Sequence, residues 1–147
     1  TIAGLFVADR LDHILNKTNG ILKKLEEGYT VITDRYYFSS YAYQGSHMDM
    51  NWVISANSLC AEILKPDLNI YIDISPEKSM ERLNKVRSTI ELYETLENLK
   101  NVKNNFFKAF ELLKLKENIF IIDGNCSTEI IATEILKEVC YFINKIR

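Results

Sequence analysis

An acidic and a basic side chain stand together at Asp34-Arg35, and the run that follows is almost entirely able to hydrogen-bond or stack: Tyr36-Tyr37-Phe38-Ser39-Ser40-Tyr41-Ala42-Tyr43-Gln44-Gly45. A guanidinium is a rigid fork of donors suited to phosphate or carboxylate oxygens, and a carboxylate accepts from the water shell of a metal ion. The preceding Thr30-Val31-Ile32-Thr33 is rich in β-branched residues and follows Gly28, which predicts a buried strand over 30–33. Side chains alternate along a strand, so Asp34 and Arg35 are expected to face opposite sides. In open α/β sheets ligands bind outside the carboxyl ends of the strands, where this pair would emerge. An Asp cap beside a surface ion pair is the plain alternative for any isolated Asp-Arg. The Tyr, Ser and Gln residues directly after it favour a binding role.

A second constellation lies earlier. Phe6 and Arg10 are four residues apart in an apolar, helix-periodic segment and share one helical face. A phenyl ring beside a guanidinium can hold a planar base, the ring by stacking and the Arg by donating to a carbonyl. Spacing alone favours the plainer reading of a core Phe and a surface Arg.

Taken in order, Asp34-Arg35-Tyr36, the pair Ser39-Ser40 and Ala42-Tyr43-Gln44-Gly45 resemble the signature of the thymidylate kinases. Leu5-Phe6-Val7-Ala8-Asp9-Arg10 is similar to a segment that precedes it in that family, and Pro66-Asp67-Leu68, Asp73 and Pro76-Glu77 match in order further on. The resemblance implies transfer of the γ-phosphoryl group of ATP to dTMP, with Mg²⁺, by a homodimer. It further implies that Arg35 clamps the dTMP phosphate, that Asp34 sits near the Mg²⁺ shell through water, and that Phe6 stacks on thymine while Arg10 reaches a base carbonyl. Tyr43 would pack beside the deoxyribose and disfavour a 2′-hydroxyl, and Ser40 and Gln44 would line the base and sugar pocket. The polar bridge 88–94 resembles the lid over ATP, with Lys85 and Arg87 as its cations, Arg87 in a catalytic role, and Tyr93-Glu94 at its far edge. Leu92 departs from the pattern, since many relatives carry Arg there.

Phosphoryl transfer also needs a cradle for the ATP phosphates. A P-loop reads Gly-x-x-x-x-Gly-Lys-Ser/Thr, and the five glycines, Gly4, Gly20, Gly28, Gly45 and Gly124, do not have that spacing. In the family the loop precedes the Phe-x-x-x-Arg segment. With helical periodicity starting beside Thr1, the expectation is an N-terminally truncated chain that lacks the first strand and P-loop and is inactive alone. Two other readings stay open: a deoxynucleoside kinase, against which Tyr36 and Ala-Tyr-Gln-Gly argue, and a paralogue that binds nucleotide or dimerises without catalysis.

The elements that must position these residues alternate. Helical periodicity covers 2–27 with a turn signal at Asn19-Gly20, then 52–64, where Trp52, Val53, Ala56, Leu59, Cys60 and Ile63 form one broad apolar face. Strands are predicted over 68–74 and 119–122, with helices from Glu77, through Leu92, Leu96, Leu99, Phe106, Phe110 and Leu113, and over 128–147. Strands separated by helices imply parallel crossovers and an α/β fold of three layers, which the resemblance makes P-loop kinase-like.

The chain has 147 residues, the content of one domain, which the resemblance makes a partial one of nucleoside-monophosphate-kinase type, and 47% of them are hydrophobic. Its formal charge of −2 gives no sign of a nucleic-acid or membrane surface, so any phosphate site rests on a few placed cations. Three cysteines, Cys60, Cys126 and Cys140, without C-x-x-C spacing suit a reducing, cytoplasmic setting. His13 and His47 stand apart without ligand spacing.

Overall fold

The computed structural model describes residues 2–86 and 95–146. Arg87 and Tyr93, both expected at the lid, lie outside the described residues, and so does the side chain of Lys85. The chain divides into two compact units, one made of Thr1–Lys65 with Asn104–Ala109, the other of Pro66–Lys103 with Phe110–Arg147.

In the first unit, α1 (Ile2–Leu15) and α2 (Ile21–Glu26) are separated at the predicted turn. Asn16 makes that turn with its side chain, accepting from the backbone N–H groups of Thr18 and Asn19. Gly28 ends α2 at φ 85°, where its N–H and that of Tyr29 donate to Leu25 and Lys24 and satisfy carbonyls the helix would otherwise leave open. Ile14, Ile21 and Cys60 are buried together, with Val7, Leu11, Leu22, Val31, Tyr36, Ile63 and Leu64 packed against them.

Residues 30–33 are not a strand. A strand needs a neighbour for its N–H and C=O groups, and this segment pairs with none among the described residues; Ile32 is 92% exposed. The rule of alternating side chains therefore does not govern Asp34 and Arg35. Arg35 instead has φ 73°, a left-handed conformation uncommon for a residue with a Cβ. The chain then enters α3 (Tyr37–Tyr43), whose Tyr37, Phe38, Ser40, Tyr41 and Ala42 are buried, followed by a 3₁₀ turn over Gln44–Ser46.

The stretch expected to be one helix over 52–64 is two. Asp49 caps α4 (Met50–Ala56) by accepting from the Trp52 N–H at 2.9 Å, and α5 (Ser58–Ile63) begins after a single break at Asn57.

In the second unit β1 (Asn69–Asp73) and β2 (Ile119–Asp123) pair in parallel, Asn69 opposite Ile119 and Asp73 opposite Asp123. Helix α6 (Pro76–Val86) lies between them in sequence, as does α7 (Leu96–Leu113), capped by Thr95 and contributing residues 104–109 to the first unit. Helix α8 (Thr128–Ile146) closes the chain. The parallel pair and its helical crossover are the α/β arrangement expected, with two strands among the described residues where three were predicted. Lys103 pairs with Asp73 at 2.5 Å, tying α7 to the end of β1, and Lys100 pairs with Glu77. None of the described helices is long and apolar enough to cross a membrane.

Candidate functional site

Arg10 is half-buried in α1, and its side chain is surrounded by groups from two other segments of the first unit. Nη1 donates to Oδ1 of Asn57, Nη2 donates to Oγ of Ser40 at 3.1 Å, and the Cζ atom lies 5.5 Å from the centre of the Tyr36 ring. Tyr36 is itself fixed, its hydroxyl donating to the carbonyl of Leu64 at 3.0 Å. Ser40 and Asn57 are 3% and 1% exposed, so both acceptors belong to the interior.

These partners are uncharged. Cys60, also beside Arg10, has its thiol pushed up by burial, an effect the neighbouring guanidinium partly opposes, so it stays neutral. No carboxylate among the described residues lies within ion-pair distance of Arg10. A half-buried guanidinium held by neutral acceptors keeps its full charge and its remaining N–H donors for an external oxygen.

Phe6, one turn before Arg10, is 47% exposed, a ring available for stacking beside a cation. Arg35 places its guanidinium 5.0 Å from the centre of the Tyr43 ring, which in turn meets Phe106 edge-on at 6.4 Å. Non-glycine residues held at positive φ concentrate at binding and catalytic sites, because surrounding structure must hold them there. Asp34 stands exposed at the bend just before.

Gln44 presents an unusual acceptor: its Oε1 is buried and meets no donor among the described residues. Buried polar atoms are nearly always paired, so an unpaired one next to Tyr43 is suited to a ligand N–H. The turn that carries it is held from α7, where buried Asn105 donates to the Ala42 carbonyl at 3.1 Å and to Ser46 Oγ at 3.0 Å.

The structure thus brings Arg10 to Ser40 and Arg35 to Tyr43. Sequence reasoning missed Asn57 and Asn105. Their signal was present: each is an amide within an apolar, helix-periodic run, where a side chain that must hydrogen-bond needs a specific partner. Among the described residues no cluster of three or more His, Cys, Asp or Glu could hold a metal ion.

A family model described as thymidylate kinase matches residues 1–135. A probable thymidylate kinase from Staphylothermus marinus is 36% identical over 121 residues, covering 82% of this chain and 56% of its own length. One from Pyrococcus horikoshii is 38% identical over 110 residues, 74% of this chain and 50% of that protein. Another from Archaeoglobus fulgidus is 33% identical over 141 residues, covering 95% and 66% respectively. The chain therefore spans between half and two-thirds of the length of these curated relatives.

Proposed function

Because the chain belongs to the thymidylate kinase family, we propose that the complete protein transfers the γ-phosphoryl group of ATP to dTMP, giving dTDP and ADP. The observation that carries this reading is the meeting of Arg10 with Ser40 across 30 residues of sequence. It joins the segment suited to a planar base to the segment suited to a phosphate.

In this reading the base stacks on Phe6, Arg10 donates to a carbonyl of the pyrimidine, and the orphan Oε1 of Gln44 takes a ligand N–H. Tyr43 borders the sugar. Arg35 leaves its resting place over that ring to hold the acceptor phosphate by charge-assisted hydrogen bonds. An oxygen of that phosphate attacks the γ-phosphorus, the bond to the bridging oxygen breaks, and ADP leaves. Lys85 and Arg87 supply lid cations, Arg87 acting on the transferred group and Tyr93 closing over substrate.

Mg²⁺ is commonly held by one or two carboxylates together with substrate phosphates and waters. The single exposed carboxylate of Asp34 fits that mode through water and does not fit a cage built by protein alone. When bound, the ion would neutralise charge on the phosphates. The 147 residues hold no Gly-x-x-x-x-Gly-Lys, so what they provide is the acceptor side of the reaction and not the cradle for ATP. We assign residues 1–147 to part of one nucleoside-monophosphate-kinase-like domain, in a protein that works in the cytoplasm as a homodimer, a reading to which Trp52 and Leu59, 46% and 50% exposed on α4 and α5, are suited.

The test is formation of dTDP from dTMP and MgATP by the complete protein, followed by chromatography. Turnover with dTMP and none with thymidine supports the proposal. Preference for thymidine would move the protein to the deoxynucleoside kinases, and a folded protein that turns over neither would leave the non-catalytic reading.

A further inference from the structure

Arg10 can discriminate one base from another only if its donors point in one direction, and a four-bond side chain does not fix that direction by itself. The residue that fixes it is Asn57. At the break between α4 and α5 its φ and ψ are −97° and 1°, and its side chain is 1% exposed. Its Nδ2 donates to the carbonyl of Val53 at 2.8 Å, one turn back. With the nitrogen engaged there, the amide has one orientation, and Oδ1 is left facing Nη1 of Arg10. The backbone repeats the anchoring: the Asn57 N–H donates to Val53 and Ile54, and its carbonyl accepts from Ala61.

The amide is also neutral, and that decides its effect. A carboxylate in the same place would pair with Arg10 and cancel the charge offered to a ligand. A hydrocarbon would leave Nη1 to seek another acceptor. An amide aligns the guanidinium and keeps its charge.

We propose that Asn57 is the positioning residue for base selection: by holding Nη1 of Arg10 on one side while Ser40 holds Nη2 on the other, it aims the remaining donors at a ring carbonyl, and so sets the preference for a base with a carbonyl over one with an amino group at that position. The proposal rests on the assignment of Arg10 to the pyrimidine. Asn57 touches no reacting atom, and its influence passes through Arg10.

The experiment measures kcat/KM of the complete protein for dTMP and dCMP, in the wild type, Arg10→Ala, Asn57→Ala and the double variant, together with thermal melts. Because truncating a buried amide can prevent folding, Asn57→Ser is made in parallel; its hydroxyl can still bond the Val53 carbonyl but is too short to hold Arg10. Asn57→Ala and Asn57→Ser are each expected to narrow the dTMP/dCMP ratio by about fivefold or more, and to add little once Arg10 is Ala, since the two residues act as a unit. A purely structural role would lower the melting temperature and leave the ratio unchanged in folded variants. An unchanged ratio in folded Asn57→Ser, with a ratio lost in Arg10→Ala, overturns the role of Asn57 alone. If Arg10→Ala keeps the wild-type ratio, the assignment of Arg10 to the base falls, and the inference with it. Failure of the wild type to use dTMP at all rejects the proposed function.

Discussion

The guanidinium of Arg35 lies over the ring of Tyr43, 5.0 Å from its centre, while the backbone of Arg35 is held at φ 73°. A left-handed conformation costs a residue with a Cβ about 1–2 kcal/mol, and an exposed cation over an aromatic ring returns about 0.5–1 kcal/mol. The ring contact is weak, which leaves the side chain able to depart when a phosphate competes for it.

Glycine at this position separates the two effects. Arg35→Gly removes the cation and the strain together and should be more stable than Arg35→Ala by about 1 kcal/mol. Both variants of the complete protein should lose dTMP turnover by about tenfold or more, the worth of charge-assisted hydrogen bonds to a phosphate. Lys85→Ala should cost less, because a neighbouring lid cation can substitute. Denaturant melts and initial rates read the two quantities; equal losses for Arg35→Ala and Lys85→Ala would remove the clamp assignment.

Glycines at two places in the first unit should respond in opposite directions. A Cβ on Gly20 would lie 2.4 Å from the Asn16 carbonyl oxygen and 2.7 Å from its nitrogen, both backbone atoms with little room to yield. Gly20→Ala should therefore destabilise by about 1–3 kcal/mol. Gly4 is exposed inside α1 with nothing within 4 Å of an added Cβ. Gly4→Ala should stabilise by about 0.5–1 kcal/mol through helix propensity. Thermal unfolding of each variant beside the wild type checks both signs.

What the sequence makes legible here is chemistry that travels as local order. Phe6 and Arg10 on one helical face, the aromatic and hydroxyl run after Arg35, the turn at Asn19-Gly20 and the strands, expected over 68–74 and 119–122 and found at Asn69–Asp73 and Ile119–Asp123, all follow from spacing and residue type. Three features did not. The β-branched run 30–33 has the composition of a strand, but a strand is a pairing between segments, and no described partner adjoins it. The break at Asn57 has no Gly or Pro to announce it; a buried amide turning toward Arg10 is a tertiary demand that overrides helix periodicity. The left-handed backbone of Arg35 is likewise invisible, since Arg has no preference for it.

The three thiols should separate by reactivity. Cys140 is exposed on α8, Cys126 is half-buried, and Cys60 is fully buried, with desolvation pushing its thiol up and reducing the thiolate present near neutral pH. Raising the pH increases the thiolate of Cys60 only above the ordinary thiol range, so its protection should persist at pH 8. Alkylation by iodoacetamide under native conditions, followed by peptide mass spectrometry, should label Cys140 first and Cys60 last. Early labelling of Cys60 would show that the cluster it forms with Ile14 and Ile21 opens readily.

Substitution of Phe6 should separate binding from selection. It is 47% exposed, so Phe6→Ala creates little cavity and should leave the melting temperature nearly unchanged. Stacking depends on the π-face that thymine and cytosine share, and a base stacked on an aromatic side chain gains about 1–3 kcal/mol. Phe6→Ala should thus weaken dTMP and dCMP by the same factor, about fivefold to a hundredfold across that range. The variant Arg10→Ala should behave differently. A buried donor set against the cytosine amino group leaves both unpaired, at about 1–3 kcal/mol, whereas thymine presents a carbonyl that accepts it. Removing the guanidinium abolishes that distinction, so Arg10→Ala should narrow the dTMP/dCMP ratio while Phe6→Ala preserves it. Calorimetric titration of both nucleotides into each variant of the complete protein measures the two ratios directly. A ratio that changes with Phe6→Ala and not with Arg10→Ala would exchange the roles of the two residues, placing selection on the ring and leaving Arg10 to brace Ser40 and Asn57.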